Sequence, residues 1–222
     1  MFFTNISNVV HPVGRITPTG ISLLGTAFFI NKPGILATAS HVVGNNDNGL
    51  VIIMNRVNSM QDYQDTSNMQ VSGVPAKIKE INPIYDVCLL EVPQTTQTIQ
   101  PTLDLTSTDS VHVGENISIF GYPHCDHGRM VLTQQNTSVG AKILINSSGI
   151  KAKNIVLNIQ SRPGQSGSPI IVPGSSSISA MLIGSYAPQV TNGGISIGGI
   201  DPQTLHQTTH AISAAYIKEM TE

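Results

Sequence analysis

Pro163-Gly164-Gln165-Ser166-Gly167-Ser168-Pro169 is the stretch on which the fold of this chain turns. It lies between two apolar segments, 154–159 and 170–172, that read as buried strands. A polar, glycine-rich turn between buried strands gathers its backbone N–H groups into a concave nest instead of a ladder. Such a nest holds an oxyanion when a hydroxyl such as that of Ser166 attacks a carbonyl. Taken alone, the same residues also make an ordinary turn. The decision therefore rests on what accompanies them.

Two other segments supply it. Ile35-Leu36-Ala37-Thr38-Ala39-Ser40-His41-Val42-Val43 is an apolar strand running through small residues into a histidine. Tyr85-Asp86-Val87-Cys88-Leu89-Leu90-Glu91-Val92 is a second apolar strand with a carboxylate at its mouth. The chain order is His, Asp, Ser, each at the edge of a hydrophobic run. A serine hydroxyl is a weak nucleophile at neutral pH and needs an adjacent base, which in turn needs an orienting group. These three residue types meet that requirement together.

The three segments resemble the signatures of chymotrypsin-type serine proteases. Thr38-Ala39-Ser40-His41 stands for the family's Thr-Ala-Ala-His, and Asp86-Val87-Cys88-Leu89-Leu90 for its Asp-Ile-Ala-Leu-Leu. Gly164-Gln165-Ser166-Gly167-Ser168-Pro169 stands for Gly-Asp/Asn-Ser-Gly-Gly-Pro. Gly25-Thr26-Ala27-Phe28-Phe29-Ile30, Phe120-Gly121-Tyr122-Pro123 and Ile197-Gly198-Gly199-Ile200-Asp201-Pro202 fit further family elements, the last of them in HtrA-type proteases. The resemblance runs from about Gly25 to the C-terminus. It implies an all-β fold of two six-stranded antiparallel β-barrels with a C-terminal α-helix. It also implies a serine endopeptidase in which Ser166 is the nucleophile, His41 the base and then acid, and Asp86 the orienting carboxylate. The oxyanion hole falls on Gly164, Gln165 and Ser166, with the N–H groups of Gly164 and Ser166 aimed at the oxyanion.

By family position, Gln160 lies at the base of the S1 pocket, Ser185, Tyr186 and Ala187 form the wall strand beside the bound peptide, and Gly198 and Gly199 form the opposite wall. With no carboxylate at 160, an uncharged P1 residue is expected. Position 165 is Gln where trypsin-like zymogens have an Asp that pairs with a new N-terminal amine, so zymogen cleavage cannot be the switch. HtrA-type proteases share that departure, and no PDZ-sized segment follows Pro202. Control by an activating partner or effector that orders the loop at 162–165 is the expectation that follows. A catalytically silent protease-fold protein that binds peptides, and an esterase on the same residues, are the competing classes.

The bulk properties agree. A chain of 222 residues can bury a substantial core and matches one two-barrel unit in length. Aromatics make up only 5% and charged residues 11%, so the core must be aliphatic and the surface rich in Ser, Thr, Asn and Gln. A net charge of −2 gives no basic stripe for nucleic acid. No segment approaches membrane-spanning length, and no signal-peptide pattern opens the chain. The two cysteines, Cys88 and Cys125, read as free thiols, which favours a cytoplasmic location. No cofactor is implied; the compressed cluster His124-Cys125-Asp126-His127 suits a loop better than a metal site.

Many short strands punctuated by Gly, Pro and Asn point to barrels or sandwiches. Residues 1–93 are assigned to the first barrel with His41 and Asp86, 94–103 to a connector, and 104–203 to the second barrel with Ser166. The apolar spacing of Ala211, Ile212, Ala215 and Tyr216 predicts a helix over 204–222. The polar insertion 58–70 lacks any apolar period and is expected to be mobile.

Overall fold

A computed structural model describes residues 6–54, 57–68, 70–93, 103–186 and 208–222. Strand β1 (Val10–Thr17) pairs with β2 (Gly20–Phe29), and β2 with β3 (Ile35–Ala39). A single helical turn, α1 (Ser40–Val43), follows, then β4 (Leu50–Ile53), β5 (Gly73–Pro75), β6 (Lys77–Asn82) and β7 (Val87–Glu91). The sheet order is β5-β4-β1-β2-β3-β7-β6. Its two edge strands are separated only by Ala76, whose N–H donates to the Leu50 carbonyl. β5 and β6 thus act as one bent strand, and the first sheet closes into a barrel of six.

The second barrel comprises β8 (Asp104–Leu105), β9 (Asn116–Gly121), β10 (Thr133–Ser147), β11 (Ile150–Leu157), β12 (Pro169–Ile171), β13 (Ser177–Tyr186) and β14 (Thr208–Ser213). Pairing of β12 with β13 closes the ring β9-β10-β11-β14-β13-β12, leaving β8 as a parallel appendage on β13. Each barrel therefore has six strands, all paired antiparallel around the ring.

Buried residues are largely aliphatic, as the scarcity of aromatics requires. Leu36, Ile52, Ile53, Leu89 and Leu90 are buried on strands of the first barrel, and Ile117, Ile119, Ile155, Ile170 and Leu182 on strands of the second. Burying each such side chain stabilises by about 1.5–3 kcal/mol before entropy is counted. Between the barrels, the Tyr122 hydroxyl donates to the Val10 carbonyl (3.2 Å).

Two expectations need correction. Thr208–Ser213 is a strand, and only Ala215–Glu219 (α2) is helical. The spacing of Ala211, Ile212, Ala215 and Tyr216 suits either state. The segment Thr208-Thr209-His210-Ala211-Ile212-Ser213 is claimed by tertiary pairing, with β11 on one side and β13 on the other. The insertion expected to be mobile is anchored, among its described residues, at Gln64. The Gln64 carboxamide donates to the Leu132 carbonyl (2.8 Å) and accepts from the Leu132 N–H (2.7 Å), copying one rung of a ladder. The connector, apart from Leu103, lies outside the described residues.

Candidate active site

The turn between β6 and β7 is built by Asn82, whose side-chain oxygen accepts from the N–H groups of Ile84 (3.1 Å) and Tyr85 (3.3 Å). It delivers Asp86 in a left-handed conformation (φ 54°), which non-glycine residues seldom adopt. Tyr216 of α2 stacks on Tyr85, ring centroids 3.9 Å apart, and backs this turn from behind.

Asp86 faces the start of α1, and both of its carboxylate oxygens are engaged. Its Oδ1 accepts from the Ser40 hydroxyl (2.6 Å) and the His41 N–H (2.9 Å), and its Oδ2 from His41 Nδ1 (2.6 Å). Burial alone would raise the carboxyl's pKa. The hydrogen bonds from His41 and Ser40, the nearby imidazole charge and the His41 N–H outweigh burial and hold it below the ordinary carboxylate value. With Nδ1–H donated to Asp86, the neutral imidazole keeps its lone pair on Nε2. The His41 side chain is 48% exposed and that of Asp86 28%, so the pair opens to solvent on the histidine side.

Ser166 sits between Gly164 (φ 86°) and Gly167 (φ 88°). A Cβ at Gly167 would lie 2.0 Å from the Thr26 carbonyl, and one at Gly164 only 2.6 Å from the Tyr122 carbonyl, so neither position admits a side chain. The segment Arg162-Pro163-Gly164-Gln165 forms a turn closed by Gln165 N–H to Arg162 O (3.1 Å). Pro at its second place and a positive-φ Gly at its third define a type II turn. Among the described residues, the N–H groups of Gly164 and Ser166 have no acceptor. That of Gln165 is spent inside the turn, so of the three residues expected at the oxyanion hole it contributes no backbone donor.

Contact between Ser166 and the His41 segment runs through Gly25. A Cβ there would lie 2.9 Å from Val42 and 3.1 Å from the Ser166 carbonyl, so the two segments share the same small residue. His41 and Asp86 are hydrogen-bonded; the Ser166 hydroxyl has no hydrogen bond among the described residues. Such bonds are often long without substrate and tighten when it binds.

Ser185 and Tyr186 end β13, which passes the Ser166 turn where Leu182 exchanges hydrogen bonds with Gly167 and Ser168. Gln160 is exposed in the segment after β11. Ala187, Gly198 and Gly199 lie outside the described residues. Two residues that shape this turn escaped the sequence reading. Thr26 was visible only as part of a strand motif, and Gln135 belongs to no motif; its side chain accepts from Gln165 Nε2 (2.6 Å).

The cluster at 124–127 divides. Cys125 is buried, with its thiol near the Gly25 and Gly164 carbonyls (3.8 Å each), whereas the His127 side chain is 76% exposed. Among the described residues, no three His, Cys, Asp or Glu side chains converge on one point. Burial, reinforced by the Asp126 charge, pushes the Cys125 thiol up to about 12, and burial does the same at Cys88. Neither thiol is a competing nucleophile near neutral pH.

Comparison with known proteins follows the same lines. The trypsin-like peptidase domain matches residues 25–175. A probable periplasmic serine endoprotease, DegP-like, from Pseudomonas fulva is 30% identical over 148 residues, 66% of this chain and 26% of that protein. The chain thus spans about a quarter of that curated relative's length. Among solved structures, the HtrA-type protease AlgW with a decapeptide superposes with a TM-score of 0.66 at 15% identity, over 96% of this chain and 63% of that one. The MamO protease domain of Magnetospirillum magneticum gives 0.66 at 14% identity over 97% of both chains. At such identities these two show the fold alone.

The relative's periplasmic name points away from the cytoplasmic location expected above. That expectation leaned on free thiols, and Cys88 and Cys125 are each buried on their own, so they stay unpaired in either compartment. No helix among the described residues is long and apolar enough to cross a membrane. With the family's domain matched from the strand of Gly25 to beyond Ser166, on a frame of two closed six-stranded barrels, the chain belongs to the trypsin-like peptidase family.

Proposed function

We propose that this protein is a serine endopeptidase that hydrolyses peptide bonds through an acyl-enzyme, with Ser166 as nucleophile, His41 as base then acid, and Asp86 as orienting carboxylate. The observation that carries this reading is the His41 imidazole. Its Nδ1–H is given to the Asp86 carboxylate, which the Ser40 hydroxyl and the His41 N–H hold in place, so the proton it can take must arrive at Nε2. Ser166 Oγ gives that proton to Nε2 as it bonds to the substrate carbonyl carbon. The carbonyl electron pair moves onto oxygen, facing the unengaged N–H groups of Gly164 and Ser166. The imidazolium then returns the proton to the leaving amine as the C–N bond breaks. Water repeats the sequence to release the acid and restore Ser166.

The neutral, exposed Gln160 supports an uncharged P1 residue, with Ser185, Tyr186 and Ala187 beside the peptide backbone and Gly198 and Gly199 on the far wall. Control falls to a partner or effector, since a new N-terminal ammonium would find no carboxylate at position 165. One observation favours the silent, peptide-binding alternative: among the described residues, the Ser166 hydroxyl lacks a bond to His41. Labelling with a fluorophosphonate probe separates the two. Reaction of the wild type but not of Ser166→Ala or His41→Ala supports the enzyme. A wild type that neither takes up the probe nor cleaves any peptide, both alone and in native cell extract that supplies its partners, refutes it. A peptide-library profile dominated by Arg, Lys or Asp at P1 would refute the pocket assignment.

A further inference from the structure

We propose that Thr26 and Gln135 are positioning residues that clamp the oxyanion turn from opposite barrels and hold it assembled; the inference rests on the peptidase reading above. Thr26 lies on β2 of the first barrel and is fully buried. Its hydroxyl donates to the Gly164 carbonyl (2.9 Å) and accepts from the Tyr122 N–H (3.2 Å). Its own N–H donates to the Ser166 carbonyl (3.0 Å). One residue thereby holds the carbonyls of both residues whose N–H groups face the developing oxyanion.

The second barrel holds the other side. Gln165 is buried, and the identity of its side-chain atoms is fixed by its partners. The Arg162 N–H can only donate, so the atom 2.7 Å from it is Oε1, and Nε2 must be the atom that donates to Gln135 Oε1 at 2.6 Å. Gln135 sits on β10, paired opposite Ile119 of β9. Meanwhile the Pro163 carbonyl accepts from the His124 N–H (2.6 Å). A trans peptide is planar, with its C=O and N–H pointing in opposite directions. Fixing the Pro163 carbonyl toward His124 therefore turns the Gly164 N–H away from the 122–125 turn.

A carboxylate buried at position 165 would demand a counter-ion. A carboxamide demands only another polar group, and Gln135 supplies it from within the folded chain. The turn is thus assembled without any new chain terminus, and an effector acting on 162–165 must work against these bonds.

Thr26→Val keeps the side chain's shape and removes the hydroxyl; Gln135→Leu removes the amide. Per titrated active site, both are expected to lower kcat about tenfold to a hundredfold with KM within about twofold, because the hole is used only in the transition state. A peptide aldehyde, whose adduct oxygen seats in the hole, should lose affinity in proportion, and Thr26→Ser should restore both. Folded Thr26→Val and Gln135→Leu proteins with unchanged kcat, or with KM raised at constant kcat, overturn the clamp while leaving the peptidase intact. Were the wild type inert toward fluorophosphonate and peptides, the peptidase reading would fall first. Amide hydrogen exchange over 160–168 then decides the clamp: faster exchange in both variants supports it, and unchanged exchange sinks it.

Discussion

Gly121 and Ser168 compete for one volume. A Cβ built on Gly121 lies 1.9 Å from Ser168 Oγ, 1.1 Å inside the 3.0 Å that real Cβ atoms keep, and 3.1 Å from Ser168 Cβ. Ser168 is fully buried, and its hydroxyl has no hydrogen-bond partner among the described residues. Gly121→Ala must therefore displace packed atoms, at about 2–3 kcal/mol for overpacking of this kind. Ser168→Gly removes both obstructing atoms. Its loss of an unsatisfied hydroxyl, worth about 1 kcal/mol, roughly offsets the added backbone entropy of glycine. When both substitutions are combined, the nearest remaining neighbour of the methyl added at position 121 is the Thr26 hydroxyl, at 3.2 Å. A double-mutant cycle by urea or thermal unfolding should thus give a coupling of about 2 kcal/mol, seen as recovery of about 4–8 °C in Tm. Additivity within about 0.5 kcal/mol would refute the argument, since it would mean that the added carbon finds space elsewhere.

Three further outcomes are expected. Ser40→Ala removes one donor from Asp86, so its folded-state pKa, held below 3.8, rises toward that value. The stability this carboxylate contributes is present above the unfolded value and lost as pH falls through the folded one; an acid-unfolding titration should therefore move its midpoint upward in the variant. His11 is buried between the Ile53 and Asn8 carbonyls, and burial lowers its pKa below 6.5 despite those hydrogen bonds. The unfolded chain then binds more protons below 6.5, so Tm should fall as pH drops from 6.5 toward the folded value, and a slope unchanged in His11→Gln would contradict this. Native protein at pH 8 should resist iodoacetamide at both Cys88 and Cys125, whose thiols stand near 12, and take up two equivalents in denaturant; rapid native labelling would disprove their burial.

The sequence carried the barrels and the segments bearing His41, Asp86 and Ser166 because each lies in a contiguous run with its own strand and turn chemistry. What it hid was set by partners distant along the chain. Thr208-Thr209-His210 reads as part of a helix until β11 and β13 claim it. Gln64 reads as solvent-facing until Leu132 meets it. Gln135 carries no local signal at all, since its one informative neighbour is thirty positions away. Gln165 was legible as a departure from the family, but not as the residue that donates a hydrogen bond across that gap.

The left-handed turn at Asp86 also bears on descent. Gly, Asn and Asp enter that backbone region most cheaply, so most replacements would cost folding stability as well as the proposed chemistry. If Asp86 serves hydrolysis as proposed, a lineage that abandoned the reaction but kept the barrels would pass most easily through Asn or Gly at this position. Either residue there, in an otherwise intact copy, would mark a protein retained for its shape.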